Sequence, residues 1–567
     1  MTCANNVLPT CMRHPGLCNA GSIATGRGEF QIVDTPETVE PAITIDFTTD
    51  HPQINRTLLM PEQVKAAASP ATVGATSALA PLDPRDWEEY RALAHRMLDE
   101  SLDYLRDVRE RPTWTPMPAA VRSTLAEEPL PRTGRGDAAA YDDFLELVRP
   151  YPNGNIHPRF WGWVMGTGTP QAAMADFLSS VVNPNVGGLE QAPVLVEKQV
   201  VKWCAELMGF PTTAGGILVS GGTMANVLGL AVARQIRAGF DVRTEGLQGN
   251  HPTLLVYGST ETHGWLKKSC EFLGLGNTAF RRVPVRDDYT VDVAAMSAMI
   301  ADDRAAGHRP FCIIGTTGTV QTAATDDLNA LADLAQKEQL WFHVDGAFGA
   351  MARLSPNPET AAVTRGMERA DSMAFDLHKW GYLPFDVACL LTREDRHLVE
   401  TFSMQAAYLA SGSRGLLAGG GIYFADRGIE LTRSFKALKV WMQFRATGTD
   451  TIGAHIERNV QQARYLESLV TAHADLELMA PVPLNIVNFR YAPAGSGMDD
   501  TALDALNRRL LSEIQERGIA APSGTTLSGR FAIRVAITNH RSRDDDFDAL
   551  VQAVLEIGRE LARQDTT

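Results

Sequence analysis

GGILVSGGTMANVLGLAVARQIRAG, residues 215–239, decides the fold class. A short apolar run, GGILVS, stops at two glycines and passes directly into a helix-like stretch. The same unit recurs downstream. TLLVYGS (253–259) precedes WLKKSCEFLG, and PFCIIGTT (310–317) precedes DLNALADLAQKEQ. LWFHVDGA (340–347) and VACLLT (387–392) continue the series. Strands alternating with helices predict an α/β domain with a mostly parallel sheet.

The pattern changes on both sides of this block. Helix-like SFKALKVWMQFRATG (434–448) leads into helical IGAHIERNVQQARYLESLV and then the strand candidates IVNFRY and FAIRVAIT. That mixture predicts a smaller α+β domain over 449–567. Upstream, DPRDWEEYRALAHRMLDESLDYLRDVRERP sets Trp87, Tyr90, Leu93, Met97, Leu102 and Leu105 at helical spacing. Asp83 or Asp86 can cap that helix, and Pro112 ends it. The division expected is an extension over 1–81 without periodicity, a helical segment over 82–150, a large domain over 151–448 and the small one beyond.

The 567 residues exceed one domain of roughly 100–200 residues. Lys and Arg total 52 against 67 Asp and Glu, a net charge of −15, which argues against nucleic acid or an anionic membrane as partner. A hydrophobic fraction of 44% excludes wholesale disorder. No apolar run approaches the ~20 residues that span a bilayer. No basic-then-apolar leader opens the chain, so a cytoplasmic location is expected. The seven cysteines contain no C-x-x-C pair. Cys204, Cys270, Cys312 and Cys389 fall in apolar segments and are expected to be buried. Cys3, Cys11, His14 and Cys18 are too openly spaced for a zinc knuckle, and no metal is expected.

Four strand ends carry chemistry. In ADSMAFDLHKWGYLPFDVACLL (370–391), Lys379 sits between His378 and Trp380. Poor solvation there would lower its pKa and make it a nucleophile toward an aldehyde, although most lysines are solvated surface residues. In LWFHVDGAFGA, an apolar strand delivers Asp345. A carboxylate there needs a positive partner, and the protonated ring nitrogen of pyridoxal phosphate is one; a turn or cap aspartate is the plainer alternative. SGGTMAN (220–226) joins strand to helix, so Gly221, Gly222 and Thr223 can cradle a phosphate at a helix N-terminus. His263 follows the strand TLLVYGS and can stack on a planar cofactor or cap its own helix. Neither a P-loop nor a dinucleotide fingerprint occurs at the 220–226 turn.

Together these segments resemble the group II pyridoxal-phosphate-dependent amino-acid decarboxylases, the family of aromatic-amino-acid, histidine and glutamate decarboxylases. The resemblance covers residues 82–560. It is carried by NIHPRFWGWV (155–164), SGGTMAN, THGWLKK (262–268), IGTTGT (314–319), HVDGAFGA (343–350), DLHKW (376–380) and FAIRVAITNHRSRDDDFDAL (531–550). It implies the type I pyridoxal-phosphate fold and a homodimer with its active site at the subunit interface. By the same resemblance, Lys379 would carry the cofactor and Asp345 would meet the ring nitrogen. His263 would stack on the ring, and Gly221, Gly222 and Thr223 would hold the phosphate. Thr317 and Ala347 would line the cofactor, with Asp376 and His378 beside the lysine. Three positions depart from the family pattern: Met224 replaces a usual Glu, Trp265 a frequent Ser, and Leu377 a frequent Pro.

The implied reaction is decarboxylation of an L-amino acid to its amine. The family's proton donor is a tyrosine on a loop after the lysine, here FSMQAAYLASGSRGLLAGGGIYFADRGIEL (402–431). Tyr408 and Tyr423 are candidates, with the nearest match on Tyr423 or Phe424. Relatives with Phe at that place tend to yield aldehyde, ammonia and peroxide, so an oxygen-dependent aldehyde synthase is the alternative, and another pyridoxal-phosphate lyase a further one. A catalytically silent binding protein is a third reading, opposed by Lys379, Asp345 and His263. Trp161 and Trp163 favour an apolar or aromatic substrate, unless they are core residues. A dicarboxylic substrate would want an arginine, for which Arg159 and Arg414 are candidates.

Overall fold

The computed structural model describes residues 81–404, 414–416 and 423–564. The extension before them, with its cysteine and histidine cluster, and Tyr408 lie outside the described residues.

The described strands are β1 (Phe160–Trp161), β2 (Gly215–Val219), β3 (Leu254–Ser259), β4 (Phe280–Val283), β5 (Arg309–Thr316), β6 (Trp341–Asp345), β7 (Ser372–Asp376), β8 (Ala388–Thr392), β9 (Leu476–Leu478), β10 (Ile486–Tyr491), β11 (Ala521–Leu527) and β12 (Arg530–Ala536). Seven of them form one sheet in the order β2-β8-β7-β6-β5-β3-β4. Only β8 runs against its neighbours; every other pair in this sheet is parallel. β2, β3, β6, β7 and β8 are buried along their whole length. Burial on both faces explains why they read as continuous apolar runs and not as alternating ones. The helix Gly222–Arg237 packs across β5 to β8. Ten of its residues are buried, from Gly222 to Ala233.

The second sheet has the order β1-β11-β12-β10-β9, antiparallel except for β1 beside β11. Its core gathers Val487, Phe489, Ile533 and Val535 with the helices Thr449–Ala472, Asp500–Glu516 and Asp544–Gln564. Residues 160–161 lie, in sequence, inside the span read as the large domain, yet Phe160 pairs with Ala521 and Trp161 with Pro522. The helix expected after residue 82 spans Trp87–Arg106, with the Asp86 carboxylate accepting from the Glu88 and Glu89 N–H groups at 2.9 and 3.1 Å. Among the described residues no helix is long and apolar enough to cross a membrane.

Candidate active site

The register of the large sheet sets the site. Thr316 pairs with Asp345, Asp345 with Ala374, and Asp376 and Val219 both with Ala388. The carboxyl ends of β2, β5, β6 and β7 therefore share one rim, where ligands of open α/β sheets bind. Gly221–Gly222 leaves β2 there, Thr317 leaves β5, Asp345 ends β6, and Lys379 follows β7.

Lys379 is not an isolated cation among rings, as desolvation alone would have it. Its Nζ lies 2.7 Å from Asp376 Oδ2, and 24% of its side chain is exposed. His378 Nδ1 accepts from the Val387 N–H at 3.1 Å, and its Nε2 lies 3.9 Å from the same carboxylate. Burial pushes the His378 pKa down. Gly222 starts its helix beneath this cluster: a Cβ there would lie 2.7 Å from Asp376 Oδ2. Gly221 caps the helix with no side-chain bond to the first-turn N–H groups. Thr223 is exposed at that turn.

Asp345 is 3% exposed and heavily solvated by protein. Its Oδ2 accepts from Trp265 Nε1 at 2.6 Å. Its Oδ1 accepts from Asn226 Nδ2 at 3.3 Å and from the Ala347 N–H at 3.2 Å. Thr317 donates its N–H to the Asp345 carbonyl at 2.9 Å. The aspartate is thus more than a turn cap, because both oxygens are engaged by side chains from other elements. Sequence reasoning missed Trp265 and Asn226 in these roles. The available signal was polarity out of place: Asn226 is 1% exposed on an otherwise apolar helix face, and such groups need partners.

His263 is exposed on the rim, and its Nδ1 accepts from the Trp265 N–H at 3.2 Å. It therefore holds the first N–H of the helix Trp265–Phe272, whose N-cap is Gly264, while His263 itself stays exposed. The aromatic pair separates. Trp161 is fully buried against Phe547, with centroids 4.7 Å apart, so it is a core residue of the second sheet. Trp163 is 57% exposed with a left-handed backbone, φ 52°. Gly166, three residues on, presses on the Lys379 segment: a Cβ there would lie 1.8 Å from the His378 carbonyl oxygen. Arg159 is taken by Asp546, Nε to Oδ1 at 2.9 Å, and Arg414 is exposed.

Tyr423 and Phe424 point to different surroundings. Phe424 is 2% exposed in the main core, with the Arg427 and Arg433 guanidiniums over its ring. Tyr423 rests on Gly188, where an added Cβ would lie 2.6 Å from its ring. Its hydroxyl is buried and makes no hydrogen bond.

These residues fit pyridoxal phosphate. The first-turn N–H groups at Gly221–Gly222 are open to an anion, and the buried Thr317 Oγ1 and Asp376 Oδ1 have no hydrogen-bond partner. Three protein donors on Asp345 leave one of its about four acceptor sites for a ring N–H. Fold and rim define a pyridoxal-phosphate enzyme of the type I fold.

Residues 130–492 match the model of the pyridoxal-dependent decarboxylase conserved domain. An aromatic-L-amino-acid decarboxylase of Bacillus atrophaeus is 32% identical over 489 residues, covering 84% of this chain and 96% of that protein. A tryptophan decarboxylase of Camptotheca acuminata is 28% identical, covering 83% and 92%. The crystal structure of Oryza sativa TDC with PLP and tryptamine shares the fold, with a TM-score of 0.77 at 24% identity over 86% of this chain and all of that one. The chain belongs to the pyridoxal-dependent decarboxylases. It is a pyridoxal-phosphate-dependent enzyme that decarboxylates an L-amino acid.

Proposed function

We propose that the substrate is an aromatic L-amino acid and that Lys379 carries the cofactor. The observation that carries the site assignment is the meeting of Lys379, Asp376, Asp345 and the uncapped Gly221–Gly222 turn on one rim. When bound, the cofactor supplies an electron sink for the pair released as the bond between Cα and the carboxylate breaks. The protein's own part is positioning and charge. First-turn N–H groups after Gly221, with Gly222 and the Thr223 hydroxyl, hold the phosphate. Thr317 and Ala347 line the ring, His263 covers one face, and Asp345 keeps a proton at the ring nitrogen. Asp376 and His378 hold the Lys379 amine in place.

The aromatic preference rests on Trp163, a large exposed ring three residues before the Gly166 that presses on the Lys379 segment, and on the names of the relatives. The proton for Cα comes from a tyrosine hydroxyl of the 402–431 segment. Tyr423 is the first candidate, its hydroxyl being unengaged, and Tyr408 the second. The enclosure of the Phe424 ring weighs against the aldehyde-forming alternative.

We also propose a homodimer. The helix Trp87–Arg106 buries none of its residues and exposes Trp87, Tyr90, Leu98 and Leu102. The helix Pro170–Val182 exposes Phe177, Leu178, Val181 and Val182. Apolar surface of this kind suits a subunit contact. The division at about residues 150 and 448 and a cytoplasmic location are kept as readings of the sequence.

A panel of L-amino acids assayed for carbon dioxide, amine, aldehyde and peroxide tests the reading. Aromatic substrates should dominate, with amine equal to carbon dioxide. Tyr423→Phe should depress amine and raise aldehyde. If Tyr408→Phe does so and Tyr423→Phe does not, Tyr408 is the donor. Stoichiometric peroxide from the unaltered enzyme would overturn the amine reading.

A further inference from the structure

Behind Asp345 runs a buried chain of polar side chains in an otherwise apolar layer. Trp341 Nε1 lies 2.8 Å from Ser372 Oγ, and Ser372 Oγ 2.7 Å from His343 Nδ1. His343 Nε2 lies 2.7 Å from Asn226 Oδ1, and Asn226 Nδ2 3.3 Å from Asp345 Oδ1. All five residues are at most 3% exposed. The two ends fix the direction of every proton. An indole N–H can only donate, and a carboxylate can only accept. The amide of Asn226 must therefore turn its NH₂ to Asp345 and its oxygen to His343. His343 must then carry its proton on Nε2, Nδ1 must accept from the Ser372 hydroxyl, and Ser372 must accept from Trp341. A reversed tautomer of His343 or a flipped Asn226 would leave two buried acceptors facing each other, at a cost of about 1–3 kcal/mol.

The chain thus ends as a row of donors aligned on Oδ1, and bonds in such a row polarise one another in the same sense. Trp265 adds a shorter bond on the other oxygen, Oδ2. Its ring also packs edge-on to His343, centroids 5.8 Å apart, and Gly229 leaves the room His343 needs, since a Cβ there would lie 2.6 Å from the imidazole. His343 stays neutral across the working range, because burial pushes its pKa down to about 3.

We propose that Trp265 and the chain Trp341–Ser372–His343–Asn226 are positioning residues that keep the shared proton on the cofactor's ring nitrogen and off the Asp345 carboxyl. The inference rests on Asp345 being the ring-nitrogen partner. In a buried pair, a proton between a carboxylate and a ring nitrogen can sit on either. Donors to the carboxylate stabilise its charged form and so favour the ion pair. A charged ring nitrogen is what makes the ring an electron sink. Trp265 stands where the family often has Ser, and its donor is rigid and reaches the carboxylate directly.

The test loads the enzyme with pyridoxal phosphate labelled with ¹⁵N in the ring and reads its NMR shift, with the cofactor dissociation constant beside it. Asp345→Asn gives the reference for an unpaired ring nitrogen. Trp265→Phe keeps the bulk and loses the donor. Ser372→Ala removes one hydroxyl two links from Asn226. Both variants should move the shift toward the Asp345→Asn value, Trp265→Phe the further, and Trp265→Phe should weaken cofactor binding about tenfold. If Trp265→Phe does not fold, Ser372→Ala decides alone. Shifts that stay at the unaltered value while Asp345→Asn moves it overturn the proposal. If Asp345→Asn also leaves the shift in place, the partner assignment of Asp345 is what fails.

Discussion

Gly166→Ala tests how tightly the 162–168 loop sets the lysine. The added methyl would lie 1.8 Å from the His378 carbonyl oxygen and 2.8 Å from that of Lys379. Real contacts of this kind do not fall below 3.0 Å, so the two backbones must separate by about 1.2 Å. Neither is free to move. The Gly166 carbonyl accepts from Asn155 Nδ2 at 2.8 Å, and the Met165 carbonyl from Thr538 Oγ1 at 2.8 Å. Opposite, the His378 N–H donates to the Val387 carbonyl at 3.1 Å, and its ring accepts from the same residue. Overpacking a fixed contact costs about 1–3 kcal/mol of stability. A displacement of about 1 Å at a reacting group can cost on the order of 100-fold in rate. We expect kcat to fall by about that factor, with the yellow absorbance of bound cofactor weakened. Gly264→Ala is the control: it lies beside His263, and its methyl would meet nothing within 4 Å. A Gly166→Ala enzyme with near-normal kcat and cofactor absorbance would refute the claim that this loop positions Lys379.

Gly221 and Gly222 should behave differently although both belong to the proposed phosphate turn. Gly222→Ala drives a methyl to 2.7 Å from Asp376 Oδ2 and should weaken cofactor binding at least tenfold, whereas Gly221→Ala meets only His378 Cε1 at 3.5 Å and should cost far less; equal affinities by titration would contradict this. Acid should destabilise the fold. Burial lowers the pKa of His343 and of His540 to about 3, below the unfolded value of about 6.5. The stability each contributes is therefore complete above about pH 6.5 and is lost, at about 1.4 kcal/mol per pH unit, as pH falls toward 3. Asp326 works the other way, since burial raises its pKa to about 6, and it offsets one of the two below that pH. His157, lowered by burial to about 4, adds a third loss of the same sign, so the net expectation is a loss of about 3–4 kcal/mol between about pH 6.5 and pH 5, read from urea midpoints; an unchanged midpoint counts against it.

The large-sheet strands named from the sequence were legible because their runs are apolar and end in a small polar turn, whereas β4, FRRV, was not, because two arginines interrupt it. Lys379 and Asp345 were legible for the same reason: charge at the end of an apolar run is conspicuous. β11, Ala521–Leu527, was not, because APSGTTL carries no apolar period of its own and takes its register from β12. β1 has two residues and exists only as a partner of β11. The lysine's counter-charge was half legible. Asp376 was placed beside Lys379 by resemblance, while reasoning from burial alone expected a bare amine. Arg159 and Trp161 were offered to the pocket, yet the second sheet takes both through Asp546 and Phe547. Nothing local distinguishes a pocket arginine from one that anchors a distant helix.

That second sheet has a hold on the rim itself. Arg534 of β12 is buried without a carboxylate, and burial lowers its pKa to about 10. It spends its donors on carbonyls: Nη1 on Trp163 at 2.8 Å, Nε on Gln321 at 3.3 Å, and Nη2 on Val320. Asn488 Nδ2 reaches the same Gln321 carbonyl at 3.0 Å, and Thr525 Oγ1 the Gln321 side-chain oxygen at 2.6 Å. Gln321 Nε2 then donates to Glu261, two residues before His263, at 3.0 Å. Three strands of the second sheet thus grip the loop after β5, and one guanidinium ties that loop to the strained backbone of Trp163. A planar donor fork holds its N–H groups in fixed directions toward those carbonyls, which a freely rotating ammonium does not. The unpaired charge buried there is tolerable only because those carbonyls solvate it. The exposed face of Trp163 and the loop carrying Thr317 are therefore set by residues 167 or more positions away in sequence, which is why the motif segments alone reveal the chemistry but not the shape of the pocket.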